Sequence, residues 1–402
     1  MRIIKYFIFI AVAGLFSSCK TNNDNQWAIE AVERSGVQLA KLAKDGRDSG
    51  KLPRSITEDG GEVRLVDLYD WTSGFFPGSL WYQYELSGDV FFKEQAEYYT
   101  SLLLDLQYFK GTHDLGFMMY CSYGNQNRLV PNDSLPQILV NTAESLSSRY
   151  NDTIKAIRSW DFGVWNYPVI IDNMMNLDVL FWASDYTGNS RYRDVAVGHA
   201  LTTLKHHFRD EDDFSCYHVI SYNDDGTVES KGTFQGYADD SRWARGQAWA
   251  VYGMTVVYRE TKDPVFLQRA QEVAKLIMEH PSIPEDKVPF WDYDAPNIPD
   301  APRDVSAAAV TAAGLLELST LVENGSAYFE YASDLLKNLS HAPYLAEAGD
   351  AHGFVLKHSV GHLPANSEID TPLNYADYYY MEALKRYFDI KGISYPLNQS
   401  NK

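Results

Sequence analysis

The sequence predicts an all-α fold, a toroid of helical hairpins, on two observations. Four segments of the chain share one pattern, in which a helical stretch ends in a short turn and an aromatic residue follows four places before an Ala. Within each copy the first element is apolar nearly all round and the second is amphipathic. A helix that is apolar on every face must be covered on every face, whereas an amphipathic one can face water. Alternating inner and outer helices satisfy both demands, and winding such pairs into a ring buries all the inner ones. The open solenoid uses the same units.

The copies run in order along the chain. They are Gly88-Asp89 with Phe92 and Ala96, Gly188-Asn189 with Tyr192 and Ala196, Lys262-Asp263 with Phe266 and Ala270, and Asn324-Gly325 with Tyr328 and Ala332. The stretches "GSLWYQYEL", "NLDVLFWAS", "GQAWAVYGMTVVY" and "AAAVTAAGLLELSTL" read as inner helices. "FFKEQAEYYTSLLLDL" and "VFLQRAQEVAKLIMEH" read as outer ones. Further hairpins are expected from "WAIEAVERSGVQLAKLAK" and "DYYYMEALKRYFDI", closing the ring at about six pairs. No Pro/Gly/Ser linker interrupts the chain, so residues 26–390 are expected to form one domain, followed by a tail over 391–402. A ring of this kind places its pocket at one end, lined by inner-helix termini and the loops between pairs.

Composition narrows the function. A net charge of −19 over 402 residues excludes a nucleic-acid surface, which needs clustered Lys and Arg. Aromatic residues reach 14%, with 9 Trp and 28 Tyr, and flat rings in a cleft are a platform for sugar rings. The first residues, "MRIIKYFIFIAVAGLFSSCKTNNDN", have Arg2 and Lys5, an apolar run from Phe7 to Phe16, then Ser17, Ser18 and Cys19. That is an export signal and not a membrane span. It resembles a bacterial lipoprotein signal over residues 1–18, with Leu15 one place early, Cys19 as the lipidated residue and 19–25 as a polar tether. Ordinary secretory cleavage nearby is the alternative. Cys121 and Cys216 then remain, enough for one disulfide but read as buried thiols.

Six segments have compositions that packing does not explain: "DWTSGFFPGSLW", "THDLGFMMYCSYGN", "SWDFGVWNYPVIIDNMMN", "CYHVISYNDDG", "GTFQGYADDSRWARGQAWAVYG" and "NSEIDTPLNYADYYYMEAL". Each mixes Asp, His, Gln or Arg with Trp, Tyr and Gly, the makeup of a concave site with a few convergent polar groups. Asp172 stands out, among Ile170, Ile171, Met174 and Met175. Desolvation there would favour the protonated carboxyl.

The blocks "HDLGF", "IIDNMMNLDVLFWAS", "RWARGQAWAVYG" and "ADYYYMEAL" resemble glycoside hydrolase family 88, the unsaturated glucuronyl hydrolases, across essentially the whole mature chain. The resemblance implies an (α/α)6 barrel and removal of the 4,5-unsaturated uronic acid that lyases leave at the non-reducing end of glycosaminoglycan fragments. It implies no metal and no other cofactor. Asp172 aligns with the general acid/base that protonates C4 and then activates water for C5, and Asp114 with the second aspartate of the family. Trp71, Trp160 and Trp249 match aromatic residues lining the sugar site. His218, Gln235 and Arg245 match polar substrate-binding residues, and His113 accompanies Asp114. Arg245 suits a substrate carboxylate because a guanidinium binds one as a fork. Phe76, Phe234 and Tyr237 depart from the common pattern, which bears on substrate preference.

Residue by residue, plainer readings stand beside these. Asp172 could be a helix N-cap taking main-chain N–H bonds, Asp114 a turn residue before Gly116, and Arg245 a structural residue stacked on Trp249. His218 could be a structural histidine. His206 and His207 before "RDEDD" read as a solvated helix end and not a metal cluster. His358 and His362 fall in a loop, and "NDDG" at 223–226 reads as a turn. The expectation is a lipid-anchored periplasmic hydrolase, since Lys20-Thr21-Asn22 lacks an acidic surface-export run. The rivals are an unsaturated rhamnogalacturonyl hydrolase and a non-catalytic glycan-binding lipoprotein.

Overall fold

In the computed structural model, which describes residues 24–397, six helical pairs close into a ring. The first helix, α1 (Gln26–Gly46), lies outside the ring and is followed by a hairpin of β1 (Leu52–Ile56) and β2 (Val63–Val66). Then come α2 (Phe75–Ser87) inside and α3 (Val90–Ser101) outside. The next inner element is a π-helix, Gly116–Gly124, continued by α4 (Asn125–Leu129) and backed by α5 (Leu135–Ser147). A small hairpin, β3 (Tyr150–Asn151) with β4 (Ala156–Ile157), precedes β5 (Pro168–Ile170).

The third pair is α6 (Asp178–Thr187) with α7 (Ser190–His206). After it, β6 (Val219–Tyr222) and β7 (Val228–Gly232) join β5 in a three-stranded antiparallel sheet. The remaining pairs are α8 (Ala244–Thr261) with α9 (Pro264–Glu279), and α10 (Val305–Leu321) with α11 (Ser326–Leu339). The last inner helix, α12 (Asn374–Lys391), contacts both α10 and α2 and so closes the ring. Its outer partner is α1, at the other end of the chain. Trp27 and Tyr387 bring their rings to 5.0 Å across that junction.

The repeated dipeptide has a geometric cause. In three copies its first residue, Gly88, Gly188 or Lys262, is the left-handed residue ending the inner helix, a conformation that frees the last carbonyls for capping. The second, Asp89, Asn189 or Asp263, accepts a bond from the amide two residues on and starts the outer helix. The fourth copy differs: Gly325 makes no side-chain cap. The inner helix α10 is buried without a break from Val305 to Leu318, while the outer α9 buries one stripe of Phe266, Ala270, Val273, Ala274 and Ile277.

Two expectations are corrected. The segments "WAIEAVERSGVQLAKLAK" and "DYYYMEALKRYFDI" were expected as further hairpins, but they are the two halves of a single pair, and the sixth pair is 116–147 instead. His207 is no solvated helix end: it is fully buried with Nε2 on the Val169 carbonyl at 3.1 Å, and burial pushes its pKa down to about 3. The tail packs back as far as it is described, with Ile393, Tyr395 and Leu397 against the core. Cys121 and Cys216 are free and buried. Residues 1–18 and Cys19 lie outside the described residues, among which no helix is long and apolar enough to cross a membrane.

Candidate active site

Every inner element begins at the same end of the ring, and a cavity of about 430 Å³ opens there, within the usual range for small-molecule sites. Trp71 precedes α2, Asp114 the π-helix, Asp172 α6, and Tyr375 opens α12. A larger groove of about 1190 Å³ lies beside it, between the β1–β2 hairpin and residues 349–372. Its lining has no Trp, Tyr or Phe, so the chemistry belongs to the smaller cavity, which has seven such rings.

The sheet positions the deepest groups. Ile170, Val219 and Gly232 form its last rung, and beyond that rung the three strands deliver Asp172, His218 and the Thr233–Gln235 turn to one place. The main chain of Ile171 donates to the His218 carbonyl at 3.1 Å. Asp172 is 6% exposed and lines the cavity. It sits inside a 3₁₀ turn, Ile171–Asn176, whose cap is Ile170, so it is not the N-cap. Its Oδ1 accepts no hydrogen bond. The two asparagines of the same stretch have structural work: Asn173 donates to the Ile157 carbonyl, and Asn176 accepts from the Phe117 amide at 2.8 Å. A Cβ on Gly116 would come within 2.5 Å of Asn176 Cα, so this contact requires glycine.

His218 stands behind Asp172, outside the cavity lining, with Nε2 at 3.4 Å from Asp172 Oδ1. Its Nδ1 accepts from the main-chain amides of Phe234 (3.1 Å) and Gln235 (3.2 Å). An accepting Nδ1 places the proton on Nε2, toward the carboxylate. Asp114 is on the cavity wall, receiving Thr112 Oγ1 at 2.5 Å and facing His113 Nε2 at 3.2 Å.

Trp71, Trp160, His113 and Gln235 also line the cavity. Gln235 Nε2 donates to the Gly361 carbonyl at 3.1 Å. Trp249 and Arg245 do not line it. Trp249 lies one layer deeper, packed on Phe117 and Tyr379. Arg245 is fully buried. Its guanidinium donates to Asp304 Oδ2 (2.9 Å) and to the carbonyls of Val360 (2.6 Å) and Gly361 (2.8 Å). The fork expected for a substrate carboxylate is therefore occupied by the chain itself, and the guanidinium stacks over Trp243 and Tyr375, not over Trp249. Burial opposes its charge, but Tyr375, Asp304 and Asp172 outweigh burial and raise its pKa.

Sequence reading missed several lining residues. Arg54 holds Asp70 through Nη1 at 2.7 Å and Glu368 through Nε at 2.8 Å. Glu368, buried between Arg54 and Arg64, stays below the usual carboxylate range despite desolvation. His362 donates to the Phe234 carbonyl at 2.7 Å, and burial lowers its pKa. Tyr69, Phe109, Phe162 and Tyr375 complete the aromatic lining. These residues come from segments up to about three hundred places apart, so no local motif announces them.

Comparison with known proteins agrees with this geometry. The family model for Glycosyl Hydrolase Family 88 matches residues 57–387. A relative from Formosa agariphila, named unsaturated glucuronyl hydrolase, is 46% identical over 353 residues, covering 87% of this chain and 88% of its own. Among solved structures, an unsaturated glucuronyl hydrolase specific for heparin superposes with a TM-score of 0.89 at 51% identity, over 92% of this chain and 99% of the other. A variant of the Streptococcus agalactiae enzyme complexed with dGlcA-GalNAc6S gives 0.77 at 28% identity, over 90% and 92%. The ring of six inner and six outer helices is thus the (α/α)6 toroid, and the chain is a glycoside hydrolase that belongs to glycosyl hydrolase family 88.

Proposed function

We propose that this enzyme removes the 4,5-unsaturated uronic acid from the non-reducing end of lyase-made oligosaccharides, with Asp172 as the group that moves the proton. The observation that carries the reading is a carboxyl group lining an aromatic cavity, almost wholly buried, with one oxygen free of any hydrogen bond and a neutral imidazole N–H facing it. Such a carboxyl can deliver a proton to C4 of the enol ether. As carboxylate it then takes one from the water that adds at C5. The resulting hemiketal opens to a 5-keto sugar and expels the aglycone, so no displacement at the anomeric carbon is needed and the spacing rules for carboxylate pairs do not apply. Asp114, held by Thr112 and His113, lines the same cavity and supplies a second acidic side chain to hold the sugar there.

Heparin-derived disaccharides are the first substrates to try, because the neighbour described as heparin-specific shares 51% identity and the one bound to dGlcA-GalNAc6S shares 28%. The carbon–carbon double bond absorbs in the ultraviolet. Loss of that absorbance on mixing with unsaturated heparin disaccharide supports the reaction, and a steady signal with heparin, chondroitin and rhamnogalacturonan fragments alike would sink it. We also assign the chain to the periplasm, anchored by a lipid on Cys19, on the pattern of residues 1–19. Labelled palmitate incorporated by the wild type and not by Cys19→Ser tests the anchor.

A further inference from the structure

The cavity is graded in depth. His113, Asp172 and Trp160 form a buried floor, while Phe162 (57% exposed) and Tyr69 (56% exposed) stand at the mouth. Phe162 stacks on Trp160 at 5.1 Å with planes 16° apart, and its ring lies tilted 6.0 Å from that of Phe234. Tyr69 leans on Phe109 at 5.0 Å, from a different loop. Large rings left half in water at the mouth of a site mark a place where something apolar docks. Arg54, the guanidinium in the wall, is engaged by Asp70 and Glu368, so ring faces and not a free guanidinium are what the mouth offers.

We propose that Phe162 and Tyr69 form a stacking platform for the sugar ring on the reducing side of the scissile bond and thereby determine which aglycones are accepted. This rests on the reading given above, in which the buried floor around Asp172 holds the terminal uronyl ring. The next ring of the chain must then pass the mouth, where the apolar C–H face of a pyranose lies flat on an aromatic face. A packing role for Phe162, covering Trp160, would act on every substrate alike.

The test compares wild type, Phe162→Ala, Phe162→Trp and Tyr69→Ala as full chains. Each is assayed on an unsaturated disaccharide and on the methyl glycoside of the same unsaturated uronic acid, which has no second ring. The expected result is that the ratio of kcat/KM for disaccharide over methyl glycoside falls about tenfold in each Ala variant, through KM. Phe162→Trp keeps the wild-type ratio. An unchanged ratio in both Ala variants, whatever their absolute rates, overturns the platform. A wild type that consumes neither substrate overturns the reaction itself, and the platform with it.

Discussion

His218 Nε2 lies 3.4 Å from Asp172 Oδ1, and neither atom has another hydrogen-bond partner. The imidazole is fixed from behind, since Nδ1 is bound by two main-chain amides and its ring packs 4.3 Å from Trp243. It can steady the Asp172 carboxylate that forms once the proton has left, without touching substrate. His218→Asn places an amide oxygen near Nδ1, keeping the anchor to the 233–235 turn and removing the group that faces Asp172. We expect kcat to fall roughly ten- to hundredfold, part of the ~10²–10⁴ that positioned proton transfer supplies, with KM and thermal stability little changed. His218→Gln loses the anchor and should alter KM as well. Equal kcat in wild type and His218→Asn would assign the histidine to packing.

For Asp172→Asn the expected loss of kcat is about 10³-fold or more, because the amide can neither give nor take the proton. The carboxyl accepts no main-chain amide and caps no helix, so the melting temperature should stay close to wild type. Binding of unsaturated disaccharide, followed by calorimetry, should persist. Near-normal turnover would remove Asp172 from the reaction.

Which parts of the molecule were legible follows from where the information sits. The dipeptides at 88–89, 188–189 and 262–263 were readable because helix termination and capping are local chemistry. The pair over 116–147 was not, because its inner element is a π-helix whose hydrogen bonds do not follow the 3.6-residue period. Nor was the pairing of α1 with α12, which joins the two ends of the chain, nor the short sheet that brings His218 to Asp172. Asp172 announced itself by contrast with its apolar neighbours. Arg245 looked like a ligand because an Arg among aromatic residues has the same sequence signature whether it faces a pocket or braces the wall behind it.

The bracing reading of Arg245 is measurable in the absence of substrate. Its pair with Asp304 is fully buried, and removing one partner of such a pair typically costs about 3–5 kcal/mol through the uncompensated charge left behind. Arg245→Met should therefore lower stability in urea melts by that order. Asp304→Asn added to it should restore a part, by relieving the stranded carboxylate. A ligand-only role would leave the melt of the single variant unmoved.

Asp377, on α12, is fully buried and accepts from the amides of Val355 and Leu356 at 2.9 and 2.8 Å. Burial raises its pKa from 3.8 to about 7, with the two N–H bonds opposing. Since the folded chain holds this proton more tightly than the unfolded one, the group's contribution to stability is fully present below about pH 4. It is lost as pH rises through 7. The whole effect is of the order of 4 kcal/mol, at about 1.4 kcal/mol per pKa unit. Asp377→Asn cannot ionise, so its unfolding free energy, measured by urea titration at several pH values, should depend less steeply on pH between 4 and 7 than that of the wild type. At acid pH the variant should be the less stable of the two, because its side chain has one oxygen to receive two amides. Parallel pH profiles for the two proteins would show that Asp377 does not titrate in this window.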